Sequence, residues 1–296
     1  MTLDQLRYFL AVCKYDSVSR AAEVLNISQP SVSNAVSNLA KELGVSLFSR
    51  QRKRLVLTQE GQLLVTMAEK LLSQAEDISR TMEALGKKNH VLRLGVPPMI
   101  GSLVLPALYS DYFSQHPSVH VKIVEDDSSG LKRLLEEGEI DMAFLPHTGN
   151  FDGNFGSELL TELQNVCCVH KSHPLAKKKS LCLAELSQEP LVLFRNSFFQ
   201  TERILEGFSR INCTPKILLD TAQLSTVQNM IAGGSAVGFL FAPLLDTAGQ
   251  LVGIPLQPPM TTRVSLVWRA DRHMRDEMAA LAQFVKDDLA VKFKNI

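Results

Sequence analysis

The stretch from Ser17 to Leu57 constrains the fold of this chain more than any other part of the sequence. Ser17 and Ser28 each precede a short segment with helical spacing of apolar residues, and a serine hydroxyl there can accept a hydrogen bond from a first-turn amide. The sequence therefore predicts two helices that begin after these serines and are joined by a tight turn. A preceding helix is predicted over residues 3–15, and Gly44 is suited to end the helix that follows Ser28.

The helix after Ser28 has two chemically different faces. Its predicted buried face is apolar, with spacings of three and four residues: Val32, Val36, Leu39 and Leu43. Its opposite face carries short, uncharged hydrogen-bonding side chains: Gln29, Ser31, Ser33, Asn34, Ser37 and Asn38. A merely solvated helix face more often carries Lys and Glu, whereas amide and hydroxyl groups can pair with base edges in a major groove. We predict that this face reads DNA sequence.

A basic run follows this helix and precedes an alternating apolar segment. Leu55 and Leu57 alternate as in a strand, so the basic residues are expected at the tip and flanks of a hairpin: Arg50, Arg52, Lys53 and Arg54. Such a wing can bind phosphates without reading bases. Residues 1–58 carry eight Lys or Arg and four Asp or Glu, a net charge of +4, whereas residues 89–296 carry 19 and 22, a net charge of −3. A polyanionic partner is therefore expected to meet the N-terminal part.

The run SVSRAAEVLNISQPSVSNAVSNLAKELGVSLFSR, followed by RLVLTQEG, resembles the N-terminal domain of LysR-type transcriptional regulators. The resemblance covers residues 1–62 by motif and the rest of the chain by layout. It implies a winged helix-turn-helix in which Gln29 and residues 31–33 contact bases and Arg50 lies near the DNA backbone. Ala40 departs from the family pattern, which usually has an acidic residue there. The candidate DNA-binding residues are Ser28, Gln29, Pro30, Ser31, Ser33, Asn34, Ser37, Arg50, Arg52, Lys53 and Arg54.

Residues 59–88 predict one long linker helix with a narrow apolar seam. Apolar residues recur at alternating spacings of four and three over about three heptads: Leu64, Ala68, Leu71, Ala75, Ile78, Met82 and Leu85. A helix packed on its own domain is the alternative, but the narrow seam favours pairing with a second copy of the chain. The resemblance implies the same, with dimers that often join into tetramers. A hinge is expected from Gly86 to Asn89.

Residues 89–296 alternate between short apolar strands and amphipathic helices in two successive sets. This pattern predicts an α/β fold class with two lobes and mostly parallel sheets. We assign lobe I to about residues 90–161 and 264–296, and lobe II to about residues 162–263, because the last strand and helix are expected to complete the first lobe. The resemblance implies a two-lobed domain, similar to type 2 periplasmic binding proteins, that binds a small-molecule effector between the lobes.

Three strand-to-helix junctions are candidate effector-binding places, because ligands of open α/β sheets bind at carboxyl ends of strands and at helix N-termini. Met99 stands where the family usually has Ser or Thr, which puts a carboxylate effector in doubt and allows a more apolar one. Arg195 could restore anion binding or simply lie on the surface, and Thr226 could face the cleft or support its helix. The candidate effector-binding residues are Pro98, Met99, Ile100, Ser128, Arg195, Asn196, Ser197 and Thr226.

Several classes of function are not indicated by the sequence. It lacks the motifs G-x-S-x-G, H-E-x-x-H, G-x-x-x-x-G-K-[ST] and G-x-G-x-x-G, and its histidines form no clear ligand set, so no enzyme, metal or cofactor is expected. The five cysteines include no C-x-x-C pair and are expected to be buried thiols, with redox sensing through Cys182 and Cys213 as the alternative. No apolar run approaches the roughly 18 residues of a membrane span, and the N-terminus lacks signal-peptide features, so we expect a cytoplasmic protein without a membrane partner.

These features together predict a transcriptional regulator controlled by a small-molecule effector. It is expected to bind an inverted-repeat site in double-stranded DNA as a homodimer or homotetramer, with RNA polymerase as a further candidate partner. A metabolite-binding module without specific DNA recognition is the alternative.

Overall fold

The structure, a computed structural model, describes residues 1–51, 54–86, 91–245 and 249–294. The chain divides into two compact units, Met1–Lys88 and Asn89–Ile296. Within the described ranges, no helix has both the length and the apolar character that crossing a membrane requires.

The N-terminal unit contains three short helices, a hairpin and a long helix. These are α1 (Leu3–Tyr15), α2 (Val18–Leu25), α3 (Gln29–Leu43), β1 (Phe48–Gln51), β2 (Arg54–Leu57) and α4 (Gln59–Gly86). Both predicted serine caps are confirmed, because Ser17 Oγ accepts from the Arg20 amide at 3.2 Å and Ser28 Oγ accepts from the Ser31 amide at 3.3 Å. Gly44 ends α3 with φ +69°, a left-handed conformation that costs glycine little.

The three short helices pack around a small apolar core. Phe9, Val32 and Leu39 are fully buried, and the Phe9 and Phe48 rings lie 5.6 Å apart. Ala21 and Ala22 are buried where α2 packs, so their small size permits close approach of the helices. The prediction that Leu43 belongs to the buried face of α3 is wrong. Its side chain is 39% exposed, because the last turn of α3 extends beyond the core.

The long helix α4 confirms the predicted linker helix but uses its apolar residues in two ways. Leu64, Ala68 and Leu72 pack with residues of α1 and α3 in the core of the N-terminal unit, so the first two positions of the predicted seam are not free for a second copy. Three later positions of the predicted seam, Leu71, Ile78 and Met82, are exposed, and Leu63 and Met67 outside the seam are exposed as well. Of the predicted hinge, residues 87–89 lie outside the described residues.

The C-terminal unit begins with three strands separated by two helices: β3 (Val91–Val96), α5 (Pro98–Ala107), β4 (His120–Glu125), α6 (Ser128–Glu137) and β5 (Met142–His147). A π-helical segment, Leu108–Phe113, extends α5. There follow β6 (Phe155–His170), β7 (Pro190–Phe194), α7 (Phe199–Arg210), β8 (Lys216–Thr221), α8 (Leu224–Ala232), β9 (Gly238–Phe241) and β10 (Leu251–Arg269). The chain then forms α9 (Asp276–Phe284), a π-helical turn, Val285–Leu289, and α10 (Ala290–Phe293).

The main sheet has the strand order β4-β3-β5-β10-β6-β9. The pairs β3–β4 and β3–β5 are parallel, but β10 runs antiparallel to both β5 and β6, and β6 runs antiparallel to β9. The expectation of mostly parallel sheets is therefore wrong for the main sheet, which is mixed. A parallel β7–β8 pair lies beside β9 through a bridge between Leu191 and Val237.

Two long antiparallel strands, β6 and β10, run through the middle of this unit. They pair from Phe155 with Arg269 to His170 with Leu251, with irregularities between Pro255 and Met260 and between Val264 and Ser265. The lobe boundaries expected at 161/162 and 263/264 fall inside these strands. The sequence pattern missed this continuity because the Pro-containing stretch of β10 resembles a loop.

Candidate functional site

The polar face of α3 is solvent-exposed as the sequence predicts. On the other side of α3, Val32 and Leu39 anchor the helix in the core. Every candidate side chain on α3 is exposed: Gln29, Pro30, Ser31, Ser33, Asn34 and Ser37. The hydroxyls of Ser28 and Ser31 lie 2.7 Å apart, so the capping residue also contacts the first serine of this face. The result is a helix that presents uncharged donors and acceptors to solvent.

The predicted wing is a two-stranded antiparallel hairpin. Arg50 pairs with Leu55, and Gln51 pairs with Arg54 next to the turn. The structure therefore brings Arg50 and Arg54 to the tip end of the hairpin, whereas Arg52 and Lys53 lie outside the described residues.

Thr58 fixes the base of the wing, a role that the sequence analysis did not assign. Its hydroxyl donates to the Ser46 carbonyl at 2.6 Å and accepts from the Gly61 amide at 2.9 Å. A Cβ on Gly61 would lie 2.3 Å from the Leu47 carbonyl oxygen, so only glycine permits this contact. The TQEG stretch that follows the wing was the available signal.

The first effector junction, after β3, is mostly apolar. Met99 is 7% exposed, and it packs with Ile100 in the large core of the C-terminal unit. Pro98 is the first residue of α5, and its carbonyl accepts from the Ser102 hydroxyl at 3.0 Å. Met99 and Ile100 are therefore used mainly by the core, while Ser102 is the exposed hydroxyl of this turn.

The second junction, after β4, carries negative charge. Asp127 caps α6, and its Oδ1 accepts from the Gly130 amide at 2.8 Å, while the candidate Ser128 is the first residue of the helix. Asp126 lies beside it and accepts from the Asp127 amide at 2.8 Å. Because the free amides of this helix N-terminus already face carboxylates, the site disfavours an anionic ligand. The adjacent acids in the sequence were a signal that the prediction for Ser128 overlooked.

The third group of candidates lies at the carboxyl ends of β7 and β8. Arg195, Asn196 and Ser197 are exposed, and the Arg195 amide donates to the Thr221 carbonyl at 3.0 Å. The Thr226 hydroxyl donates to Oε1 of Gln223 at 3.0 Å, so it supports the start of α8. The structure therefore brings the lobe II candidates to one end of the β7–β8 pair.

Buried polar groups lie where α7 meets β6 and β10, and the sequence analysis missed them. Gln200 Nε2 donates to Asn165 Oδ1 at 2.7 Å, and Asn165 Nδ2 donates to Thr262 Oγ1 at 3.0 Å and to the Met260 carbonyl at 3.2 Å. All three side chains are almost fully buried. They tie the first turn of α7 to the two strands that run through the unit.

His147, one of the histidines that form no clear ligand set in the sequence, has defined contacts. Nδ1 of His147, at the end of β5, donates to the Gly149 carbonyl, which can only accept. Its Nε2 therefore accepts from the buried Ser265 hydroxyl at 2.8 Å. Burial lowers the pKa of His147; the hydrogen bond to the Gly149 carbonyl opposes this shift, and the nearby Arg263 adds to it. The side chain is thus held in its neutral form.

Comparison with known proteins identifies both units. Residues 3–62 match the model of the bacterial regulatory helix-turn-helix protein, lysR family, and residues 86–290 match the LysR substrate binding domain. The chain belongs to the LysR family of transcriptional regulators. It is similar to the uncharacterized regulator YwbI of Bacillus subtilis, with 30% identity over 98% of this chain and 97% of YwbI. GltC of the same organism, a transcriptional dual regulator, is 28% identical over 96% of each chain.

Solved LysR structures have the same fold. A full-length OxyR variant from Pseudomonas aeruginosa matches with a TM-score of 0.60 and 26% identity, covering 98% of this chain and 94% of that one. Membership makes this protein a DNA-binding transcriptional regulator with an effector-binding domain, and LysR regulators are not enzymes. The predicted fold class, with its N-terminal helix-turn-helix and α/β effector domain, is confirmed.

The cysteines of this LysR regulator differ in their surroundings. Cys167 and Cys168 are fully buried in β6, and burial raises the pKa of Cys167 well above its ordinary value and that of Cys168 to about 12. Because thiolates are the reactive form, these two thiols are poorly suited to redox chemistry. Cys182 is exposed, so the expectation of buried thiols is wrong for this residue, and Cys13 and Cys213 are partly buried. Among the described residues, no group of His, Cys, Asp and Glu could hold a metal ion.

Proposed function

We propose that this LysR regulator binds an inverted-repeat DNA site as a homodimer or homotetramer in the cytoplasm, and that an effector bound between its lobes changes its action on RNA polymerase at the promoter. The observation that carries the proposal is the exposed, uncharged face of α3 beside a basic wing. In this proposal Gln29, Ser31, Ser33, Asn34 and Ser37 meet base edges, and the wing arginines and lysine meet phosphates.

The exposed apolar side chains of α4 support self-association. Ile78 is 66% exposed and Met82 is 62% exposed, far from the part of the helix that packs on α1. Covering such side chains with a second copy removes apolar area from water. Paired chains would hold two α3 helices together, which matches two half-sites of an inverted repeat.

The charge and polarity of the junctions support an effector other than a simple carboxylate. Met99 and Ile100 make one junction apolar, and Asp126 and Asp127 occupy the N-terminus of α6. The exposed Arg195 belongs to the opposite lobe. We propose a ligand with an apolar body and with no net negative charge on the part that lies next to α6. Peroxide sensing, indicated by the name of a relative in Haemophilus influenzae, gains no support from Cys167 and Cys168.

The DNA part is tested by selecting duplexes from a random pool with the full-length protein. The expected result is an inverted repeat, and enrichment of a single unpaired half-site would contradict the proposal. Failure to enrich any sequence would favour the metabolite-binding module without specific recognition.

The effector part is tested by following thermal unfolding across a metabolite library. A ligand at 100 times its dissociation constant adds about 2.7 kcal/mol to the unfolding free energy. Stabilisation by neutral or cationic apolar metabolites is expected. Stabilisation confined to small carboxylates would contradict the charge argument.

A further inference from the structure

Lobe II carries a basic surface on the segment between β6 and β7. Residues 170–184 contain four lysines and two histidines and no Asp or Glu, within a unit whose net charge is −3. We refer to Lys171, Lys177 and Lys179, with the backbone that carries them, as the lysine patch.

Hydrogen bonds hold the backbone of the lysine patch in place. The Lys171 amide donates to the Gln250 carbonyl at 2.8 Å, and Pro174–Lys177 form a 3-10 turn capped by Nδ1 of His173. Leu175 and Ala176 of this turn pack against a buried apolar cluster of lobe II. The lysines are therefore displayed from an anchored turn.

The charges of the three patch lysines are not neutralised by neighbours. Lys178 forms an ion pair with Glu185, and His173 lies 3.5 Å from Glu189, so these two acids already have basic partners. Lys171, Lys177 and Lys179 are exposed and form no ion pair within the ranges that the structure describes. Each chain thus presents three free ammonium groups on one short segment.

The patch lies at the end of lobe II that faces away from the effector junctions. Strand β6 pairs with β9 from Asn165, opposite Phe241, to Cys168, opposite Gly238. The buried polar groups lie at the Asn165 end of this pairing, and the lysine patch follows the other end, after His170. Likewise, Glu189 precedes the start of β7, whereas Arg195 follows its other end. The patch is therefore separate from the proposed effector cleft.

We propose that the lysine patch binds the phosphate backbone of DNA that flanks the recognised site. This inference rests on the proposed recognition of a DNA site by α3. Free ammonium groups suit phosphates and read no bases. A duplex held by α3 would also present its flanks at high effective concentration to the effector domain of the same chain.

The composition of the surface favours DNA over an acidic protein. Protein interfaces have an apolar or aromatic core in which lysine is depleted. Residues 170–184 include no exposed large apolar side chain. The patch therefore has the charge for a polyanion but lacks the apolar centre that a protein partner would use.

The experiment compares three full-length proteins on two duplexes that carry the selected site, one ending at the site and one with long flanks. The test variant replaces Lys171, Lys177 and Lys179 by Gln, and the control variant makes the same change at the exposed Lys122, Lys286 and Lys294. On the long duplex the test variant should bind at least about threefold more weakly, and its salt dependence should fall by up to about 0.9 in log–log slope for each phosphate that the patch no longer neutralises. On the short duplex the test variant should bind with the same affinity as the unchanged protein. The control variant should bind both duplexes with that same affinity.

Other outcomes overturn the inference. Equal binding of the test variant and the unchanged protein on the long duplex shows that the patch does not touch flanking DNA. If binding is equal but transcription with RNA polymerase is abolished, the patch serves an acidic protein instead. Equal weakening on both duplexes, or equal weakening by the control variant, indicates a nonspecific effect of charge. Absence of any preferred site for the unchanged protein would instead reject the proposed DNA recognition, and this inference with it.

Discussion

The side-chain amide of Gln200 donates a 2.7 Å hydrogen bond to Oδ1 of Asn165, joining the first turn of α7 to β6 within the protein interior. Asn165 in turn donates to Thr262 on β10, so one buried side chain connects three elements. Removing one partner of such a set leaves a polar group buried without a hydrogen bond.

We expect Gln200→Ala to lower the unfolding free energy of the effector domain by about 1–3 kcal/mol, because Asn165 Oδ1 loses its donor. The chain has a single tryptophan, Trp268 in β10, so its fluorescence during urea unfolding reports on this domain. Gln164→Ala, at an exposed neighbouring position of β6, is the control and should change stability by less than about 0.5 kcal/mol. Equal losses for the two variants would show that the buried contact contributes nothing specific.

Substitutions in α3 and in the wing should affect DNA binding differently. Gln29→Ala should reduce discrimination at one base position by about 1–3 kcal/mol, because it removes an exposed amide from the face of α3. Arg52→Ala should weaken binding to all sequences alike and lower the salt slope by about 1. Binding titrations on matched and mismatched duplexes at several salt concentrations separate these effects. Gln62→Ala, exposed on α4, is the control, and the opposite pattern would mean that the two roles are reversed.

A charged substitution on the exposed apolar side of α4 should weaken self-association. Ile78→Lys combined with Met82→Lys places two charges where the proposal expects a partner helix, and desolvating them opposes pairing. Sedimentation velocity should show a shift toward the monomer. Ser79→Lys, at an exposed position outside the apolar set, should leave the distribution unchanged. An unaltered oligomer in the double variant would place the interface elsewhere.

The neutral state of His147 predicts a pH dependence of stability. The pKa of His147 in the folded protein lies below the ordinary 6.5. Above pH 6.5 the side chain is therefore neutral in both the folded and the unfolded chain, and it does not lower the unfolding free energy. As pH falls below 6.5, the unfolded chain takes up a proton that the folded domain resists, and stability falls until the folded pKa is passed. Urea unfolding between about pH 5 and 7.5 should show a weaker decline for His147→Gln than for the unchanged protein. His120→Gln, exposed on β4, is the control, and an identical decline in all three proteins would contradict the assignment.

Much of the N-terminal unit could be predicted from sequence because its signals are local. A serine before a helix, a glycine after it and apolar spacing within it act over a few residues, and α1 to α3 follow these signals closely. Leu43 was predicted as buried because periodicity does not reveal where a core ends.

The polar face of α3, the linker helix and the alternation of strands and helices were determined by the sequence alone, because each depends on residues that are near one another in the chain. Tertiary structure decided which apolar residues of α4 are used by its own domain, since Ala68 meets α1 only after folding. It also decided that β6 and β10 pair along their length, and that Asn165, Gln200 and Thr262 meet in the interior. Those contacts join residues 35 and 97 positions apart, and no local pattern encodes them.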